Sequence, residues 1–295
     1  MDTVKTIQTF AATHNCTFGI CDASPLDATH LQKSEFVPFV SRDIKKRTCP
    51  SAVLPGAQSI IVIGVGMSPN VPMQNNVDNA DNTAQLSSLG TNDDYHTKVK
   101  SLLHKLAEQL LQHTSFKYKI LVDSSTLDER AFAMRAGIGF LGRNGLIISP
   151  QFGTRFNIGL LLTDIPLNTA MVPSAVKSKC PINCRLCIDA CPNGALQPDH
   201  PLDTARCISY LTQKRELTSQ EETMLHNQLY GCDICQDVCP FNTPRAKTYI
   251  NPWEWLIMSD AAFAEKYSHT AMLWQGAALL RRNAQAARRY IFDKS

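Results

Sequence analysis

Cys180-Pro-Ile-Asn-Cys184-Arg-Leu-Cys187-Ile-Asp-Ala-Cys191-Pro192 and, further on, Cys232-Asp-Ile-Cys235-Gln-Asp-Val-Cys239-Pro240 are the stretches from which the rest of the chain is read. Both close on the pattern Cys-x-x-Cys-x-x-x-Cys-Pro. Short spacings let neighbouring thiolates reach one centre, while the proline ends the local helix and swings the last cysteine away. The second array is one thiol short of four, and Cys207, in Ala205-Arg-Cys-Ile-Ser-Tyr-Leu211, is the cysteine near enough in sequence to complete it. These eight belong to a total of eleven, an odd number that cannot all pair. In a reducing compartment such crowding means metal or redox chemistry rather than disulfides. Cys16, Cys21 and Cys49 show no ligand spacing and read as small buried side chains.

The arrays resemble the bacterial ferredoxin run, in which three cysteines hold one [4Fe–4S] cluster and the fourth, before proline, crosses to the other. On that pattern Cys180, Cys184, Cys187 and Cys239 serve one cluster, and Cys191, Cys207, Cys232 and Cys235 the second. Zinc is the competing reading, although four-cysteine zinc sites seldom carry a third cysteine followed by proline.

Composition narrows the rest. In 295 residues, 44% apolar side chains can supply a core, which excludes a disordered or fibrous chain. A net charge of +3 is too small to point to a nucleic-acid partner by itself. The first residues lack the pattern of a secretory signal, and the longest apolar runs, 59–67 and 158–162, fall far short of the roughly 20 residues that cross a bilayer. The expectation is a soluble cytoplasmic protein with no membrane association.

Outward from the arrays, periodicity gives a helix over 4–13, strands over 17–21 and 58–67, an amphipathic helix over 95–111, a strand over 117–122, a helix over 127–136 and a strand over 157–163. The β-branched run 58–67 suits a strand buried on both faces. Residues 68–93, rich in Asn, Asp, Ser and Pro, read as a long loop outside the core. Such alternation implies a layered α/β (α+β) domain over residues 1–170, a double-cluster module over 171–245 and a short helical tail over 246–295.

Two cubanes alone describe an electron carrier, but a large domain placed before them implies that electrons reach something bound there. Asp94-Tyr95-His96, Val122-Asp123-Ser124 with Glu129-Arg130, Arg135-Ala136-Gly137-Ile138-Gly139-Phe140, Gly142-Arg143-Asn144 and Cys207-Ile-Ser-Tyr-Leu211 follow in order between about residues 40 and 283. Together with the arrays they resemble the epoxyqueuosine reductase family. The resemblance implies a cobalamin-dependent oxidoreductase of queuosine biosynthesis, whose clusters feed electrons to cobalamin and which removes the epoxide oxygen from epoxyqueuosine at the wobble position of tRNA. It implies a tRNA anticodon stem–loop as partner, an unidentified electron donor and a monomer. By motif, Asp123 takes the place of the proton-donating aspartate, and Arg47, Ser87, Asp123, Arg143, Asn144 and Ser209 take places that contact the cofactor. A proton-donating carboxyl must be held neutral near pH 7, which a dry, capped pocket can do. Asp123 could instead merely cap the helix that follows it. His96 is not assigned as a cobalt ligand.

Three departures from the family pattern stand out. Three residues separate Cys180 from Cys184 where two are usual, so the first loop must bulge. Arg143 replaces a common lysine, keeping the charge but changing donor geometry. The sequence stops soon after Arg282-Asn283-Ala284, where many members continue into a helical-repeat extension. Lys214, Arg215, Arg245, Lys247, Arg281, Arg282, Arg288 and Arg289 are the candidates to meet RNA phosphates. A small-molecule cobalamin reductase of the reductive dehalogenase kind and a non-catalytic ferredoxin-type carrier are the alternatives.

Overall fold

The computed structural model describes residues 3–28, 40–68, 82–123, 126–167, 178–198 and 202–293. In chain order the strands are β1 (Cys16–Asp22), β2 (Ser59–Gly66), β3 (Ala84–Leu86), β4 (Tyr118–Leu121), β5 (Phe140–Leu141), β6 (Ile147–Ile148), β7 (Phe156–Thr163), β8 (Gln228–Tyr230) and β9 (Thr248–Ile250). The helices are α1 (Thr3–Thr13), α2 (Ile44–Thr48), α3 (Ser88–Thr91), α4 (Tyr95–Leu111), α5 (Glu129–Arg135), α6 (Leu186–Asp189), α7 (Ile208–Leu211), α8 (Ser219–Thr223), α9 (Ile234–Asp237), α10 (Pro252–Ile257), α11 (Asp260–Tyr267) and α12 (Ala277–Phe292). By contact density the chain forms two compact units, Met1–Met67 with His96–Cys184, and Ser68–Tyr95 with Arg185–Ser295.

The first unit is built on the sheet β1-β2-β7-β4, in which every neighbouring pair is antiparallel. The β-branched run of β2 lies between β1 and β7 as its composition requires, with Ile60, Ile61, Val62 and Ile63 fully buried. Each such side chain contributes about 1.5–3 kcal/mol relative to exposure. α4 turns Val99, Leu103, Leu106 and Leu110 inward, and Gly159 of β7 lets it come close. A Cβ at Gly159 would stand 2.5 Å from Val99 Cγ1 and 2.8 Å from Leu103 Cδ1. α5 covers β2 and β7 with Phe132 and Ala133.

The second unit centres on the sheet β8-β3-β9, with β3 parallel to β8 and antiparallel to β9. Behind it α10, α11 and α12 bury Trp255, Phe263, Tyr267, Leu280 and Ala284, with Trp255 Nε1 donating to Tyr267 Oη at 2.9 Å. Asn283 of α12 is fully buried and donates to both Thr212 O and Leu229 O at 2.8 Å, which ties α12 to the residues around α7 and β8.

One expectation is overturned here. The loop read over 68–93 contains β3 and α3, and Ala84 and Leu86 are among the most buried residues of the second unit. A three-residue strand offers neither periodicity nor a β-branched run, so composition alone conceals it. Residues 69–81 of that stretch lie outside the described residues.

Candidate functional site

The cysteine region is held by very short helices. α6 and α9 are single turns that begin between cysteines and stop just before the two Cys-Pro steps. Cys187, Ile188 and Leu196 form a small core with Cys191, Leu202 and Cys235 against it. Cys191, Cys207, Cys232 and Cys235 share one electrostatic neighbourhood: burial pushes the Cys207 thiol up, Cys232 up to about 12 and Cys235 well above the ordinary range, with the neighbouring thiols adding to each. Thiols so placed hold their protons at neutral pH, so metal coordination must release them. Among the described residues, no three His, Cys, Asp or Glu side chains lie close enough to hold a single metal ion.

Polar side chains fasten this region from behind. Asn193, just past Cys191-Pro192, donates through Nδ2 to Arg206 O and to Met224 O, each at 2.9 Å, and its Oδ1 meets the His226 ring at 2.8 Å. It thereby links the turn after Cys191 to the residue before Cys207. Ala195 N donates to Cys191 Sγ at 3.3 Å, the kind of contact that tunes a cluster's potential. Asp233, inside the second array, accepts from Ser88 N at 2.7 Å and Ser88 Oγ at 3.1 Å, which anchors the end of β3 to that loop. Sequence reading missed Asn193, Asp233 and Ser88, whose partners lie up to 145 residues away.

At the start of the first array the bulge takes a definite form. Cys184 N donates to Pro181 O at 2.9 Å, so the extra residue closes a turn. Arg143 Nη2 donates to Ile182 O at 2.6 Å and braces that turn. Arg143 sits with Asn144 in the tight hairpin of β5 and β6, closed by Gly142 N to Leu146 O at 2.8 Å and tied to α5 by Arg130 Nη1 to Gly145 O at 3.0 Å.

Asp123 follows β4 in a left-handed backbone conformation, φ +46°, which aspartate tolerates better than most residues. Its side chain is 66% exposed and its Oδ2 lies 3.5 Å from His96 Nε2, while its backbone N donates to Glu129 Oε2 at 2.9 Å. It does not cap α5. That cap is Asp128, which accepts from Ala131 N at 3.2 Å. Asp128 Oδ2 also lies 3.6 Å from Arg47 Nη2, and burial draws the Arg47 guanidinium below its ordinary pKa with Asp128 opposing the shift.

The first unit thus carries Arg47, Asp123, Arg143 and Asn144, and the second carries Ser87 and Ser209. Arg47 Nε, Asn144 Nδ2 and Ser87 Oγ are buried and have no hydrogen-bond partner among the described residues. Ser87 faces Gly231, where φ is +66° and a Cβ would collide with Ser87 Oγ. Ser209 O accepts from Thr212 Oγ1 and Gln213 Nε2. The basic residues after 200 are largely engaged within the second unit: Lys214 with Glu221, Arg281 with Asp260, Arg289 with Glu222, Arg282 with Lys214 O and Arg215 O, and Arg288 over the Trp253 ring.

An antiparallel-sheet unit with an exposed carboxylate, in one chain with two Cys-x-x-Cys-x-x-x-Cys-Pro arrays, has the make-up of an iron–sulfur oxidoreductase of the double-cluster type. Residues 179–242 match the 4Fe-4S double cluster binding domain, and residues 47–124 match Epoxyqueuosine reductase QueG. The epoxyqueuosine reductase of Staphylococcus aureus is 35% identical over 83% of this chain and 67% of its own length. The epoxyqueuosine reductase structure from Streptococcus thermophilus superposes with a TM-score of 0.87 at 28% identity, covering 100% of this chain and 83% of that one. A crystal structure of epoxyqueuosine reductase with an epoxyqueuosine-modified tRNA-Tyr stem loop gives 0.86 at 29% identity, over 99% and 83% of the two chains. The Bacillus subtilis epoxyqueuosine reductase, solved with its catalytic aspartate loop swung out of the active site, gives 0.85 at 29%, over 98% and 82%. The chain belongs to the epoxyqueuosine reductase family.

Proposed function

We propose that this chain reduces epoxyqueuosine to queuosine at the wobble position of tRNA, with two [4Fe–4S] clusters and cobalamin as cofactors. The observation that carries the reading is Asp123: an exposed carboxylate beside His96, on the turn after β4, with no capping duty to explain it. In this reading its carboxyl donates a proton to the epoxide oxygen, which requires a neutral form favoured once cofactor and substrate cover it and exclude water. The chemistry a reduced cobalamin supplies when bound is electron delivery into an epoxide C–O bond.

The residues present fit such a cofactor. Arg47 Nε and Asn144 Nδ2 are buried donors without an acceptor, an arrangement that costs about 1–3 kcal/mol per group unless a ligand oxygen completes it. Ser87 Oγ offers a third such group, and Gly231 leaves it open by lacking a Cβ. Arg143 and Ser209 complete the proposed set, with Arg143 also bracing the first array. The eight cysteines divide as Cys180, Cys184, Cys187 and Cys239 for one cluster and Cys191, Cys207, Cys232 and Cys235 for the other.

The test is nucleoside analysis of tRNA from cells lacking the gene, paired with conversion of an epoxyqueuosine-bearing anticodon stem–loop by the reduced, cofactor-loaded enzyme. Accumulated epoxyqueuosine in the cells and queuosine in the tube are expected. Normal queuosine in the deletion strain, with no conversion in vitro, would return the small-molecule reductase reading.

A further inference from the structure

Removing an epoxide oxygen as water while leaving a carbon–carbon double bond consumes two electrons and two protons. One C–O bond breaks and the oxygen takes a proton to become a hydroxyl; the second C–O bond breaks and that oxygen leaves as water with the second proton. The electrons come from the external donor through the clusters. A single carboxyl carries one proton. After its first transfer Asp123 is a carboxylate and must be recharged before the second.

We propose that His96 is the relay that returns this proton, so that Asp123 Oδ2 is recharged by His96 Nε2 within each turnover; the proposal rests on the role given to Asp123 above. His96 Nε2 stands 3.5 Å from Asp123 Oδ2, a separation that a small side-chain adjustment converts into a hydrogen bond. The imidazole side chain is 33% exposed, half as much as that of Asp123, so it reaches solvent to collect its own proton. The other charged groups near the pair have contacts of their own. Glu129 Oε2 accepts from the Asp123 backbone amide at 2.9 Å. Arg130 turns its guanidinium to Gly145 O in the hairpin. Lys98 and Lys100 follow His96 on α4.

The experiment uses the full chain loaded with clusters and cobalamin and compares His96→Ala, His96→Gln and Asp123→Asn in single-turnover conversion of the epoxyqueuosine stem–loop, with and without added imidazole. His96→Ala is expected to lose about 10- to 100-fold in rate with cofactor content unchanged, and imidazole to restore most of it. Asp123→Asn is expected to be slower still and indifferent to imidazole. A second readout is independent of turnover: labelled-histidine NMR of the oxidised protein should show the His96 titration midpoint moving down in Asp123→Asn, because an opposite charge has been removed. A His96→Ala enzyme at the wild-type rate beside a slow Asp123→Asn overturns the relay and leaves the Asp123 role intact. Wild-type rates in both variants, or a wild-type enzyme that makes no queuosine, overturn the relay together with the reading beneath it.

Discussion

The region around Cys191, Cys207, Cys232 and Cys235 and the turn that carries Asp123 hold their chemistry in different ways. The thiols are half-buried, raise one another's pKa and sit among single-turn helices, a small apolar core and the Asn193 and Asp233 contacts. Asp123 is two-thirds exposed and left-handed in backbone, with its amide donating to Glu129 and its carboxylate beside His96. The contrast follows from the tasks. On the roles proposed above, cluster ligands would stay put through every electron transfer, whereas a proton donor would admit a substrate and then be covered by it.

That contrast can be broken at its strong end first. Cys235→Ala should drop iron from about eight to about four per chain and abolish conversion, since crossed ligation leaves no spare thiol. Cys21→Ala, outside the arrays, should leave iron unchanged. Iron analysis and EPR of anaerobically prepared variants decide it, and equal iron in both would break the ligand assignment. At the weak end, Asp123→Asn should lower single-turnover conversion by roughly 100-fold with the melting temperature unmoved, because asparagine tolerates the left-handed backbone but carries no acid proton. A melt that shifts with the rate would show that Asp123 is structural after all.

Two smaller effects sharpen the picture. Gly231→Ala combines positive φ with a clash on Ser87 Oγ and should destabilise by about 1–3 kcal/mol, read by chemical denaturation. Wild-type stability there would mean that Ser87 has room to move and is a poor marker of a cofactor cradle. Asp128→Ala should cost about 1 kcal/mol through the lost cap of α5, and more if Arg47 is left without its counter-charge. Comparing it with Asp128→Asn, which keeps a capping oxygen, separates the two contributions.

Legibility in the sequence divides along the same line. Cluster spacing is local, so the arrays declare themselves; so does β2, whose β-branched run marks a strand buried on both faces. β3 escapes because three residues carry no period, and its importance comes from pairing with β8 and from Ser88 meeting Asp233. Asp123 could be singled out only by family resemblance, since a lone aspartate after a strand looks like any cap. Its separation from that role depends on Asp128, five residues later, which no spacing rule prefers. For several basic residues after 200 the partners, Glu222, Asp260 and backbone carbonyls, lie 21 to 68 positions away, so their ion pairs and hydrogen bonds become visible only in the fold.

The brace between Arg143 and Ile182 O joins two departures that seemed separate, the longer first loop and the arginine in place of a common lysine. The hydrogen bond couples them physically. Restoring lysine while keeping the bulge takes the planar fork from the Ile182 carbonyl, and deleting a loop residue while keeping arginine moves the carbonyl away from the fork. Each reversal alone is therefore expected to cost more than both together, so a loop or hairpin grafted from a relative should be exchanged as a pair.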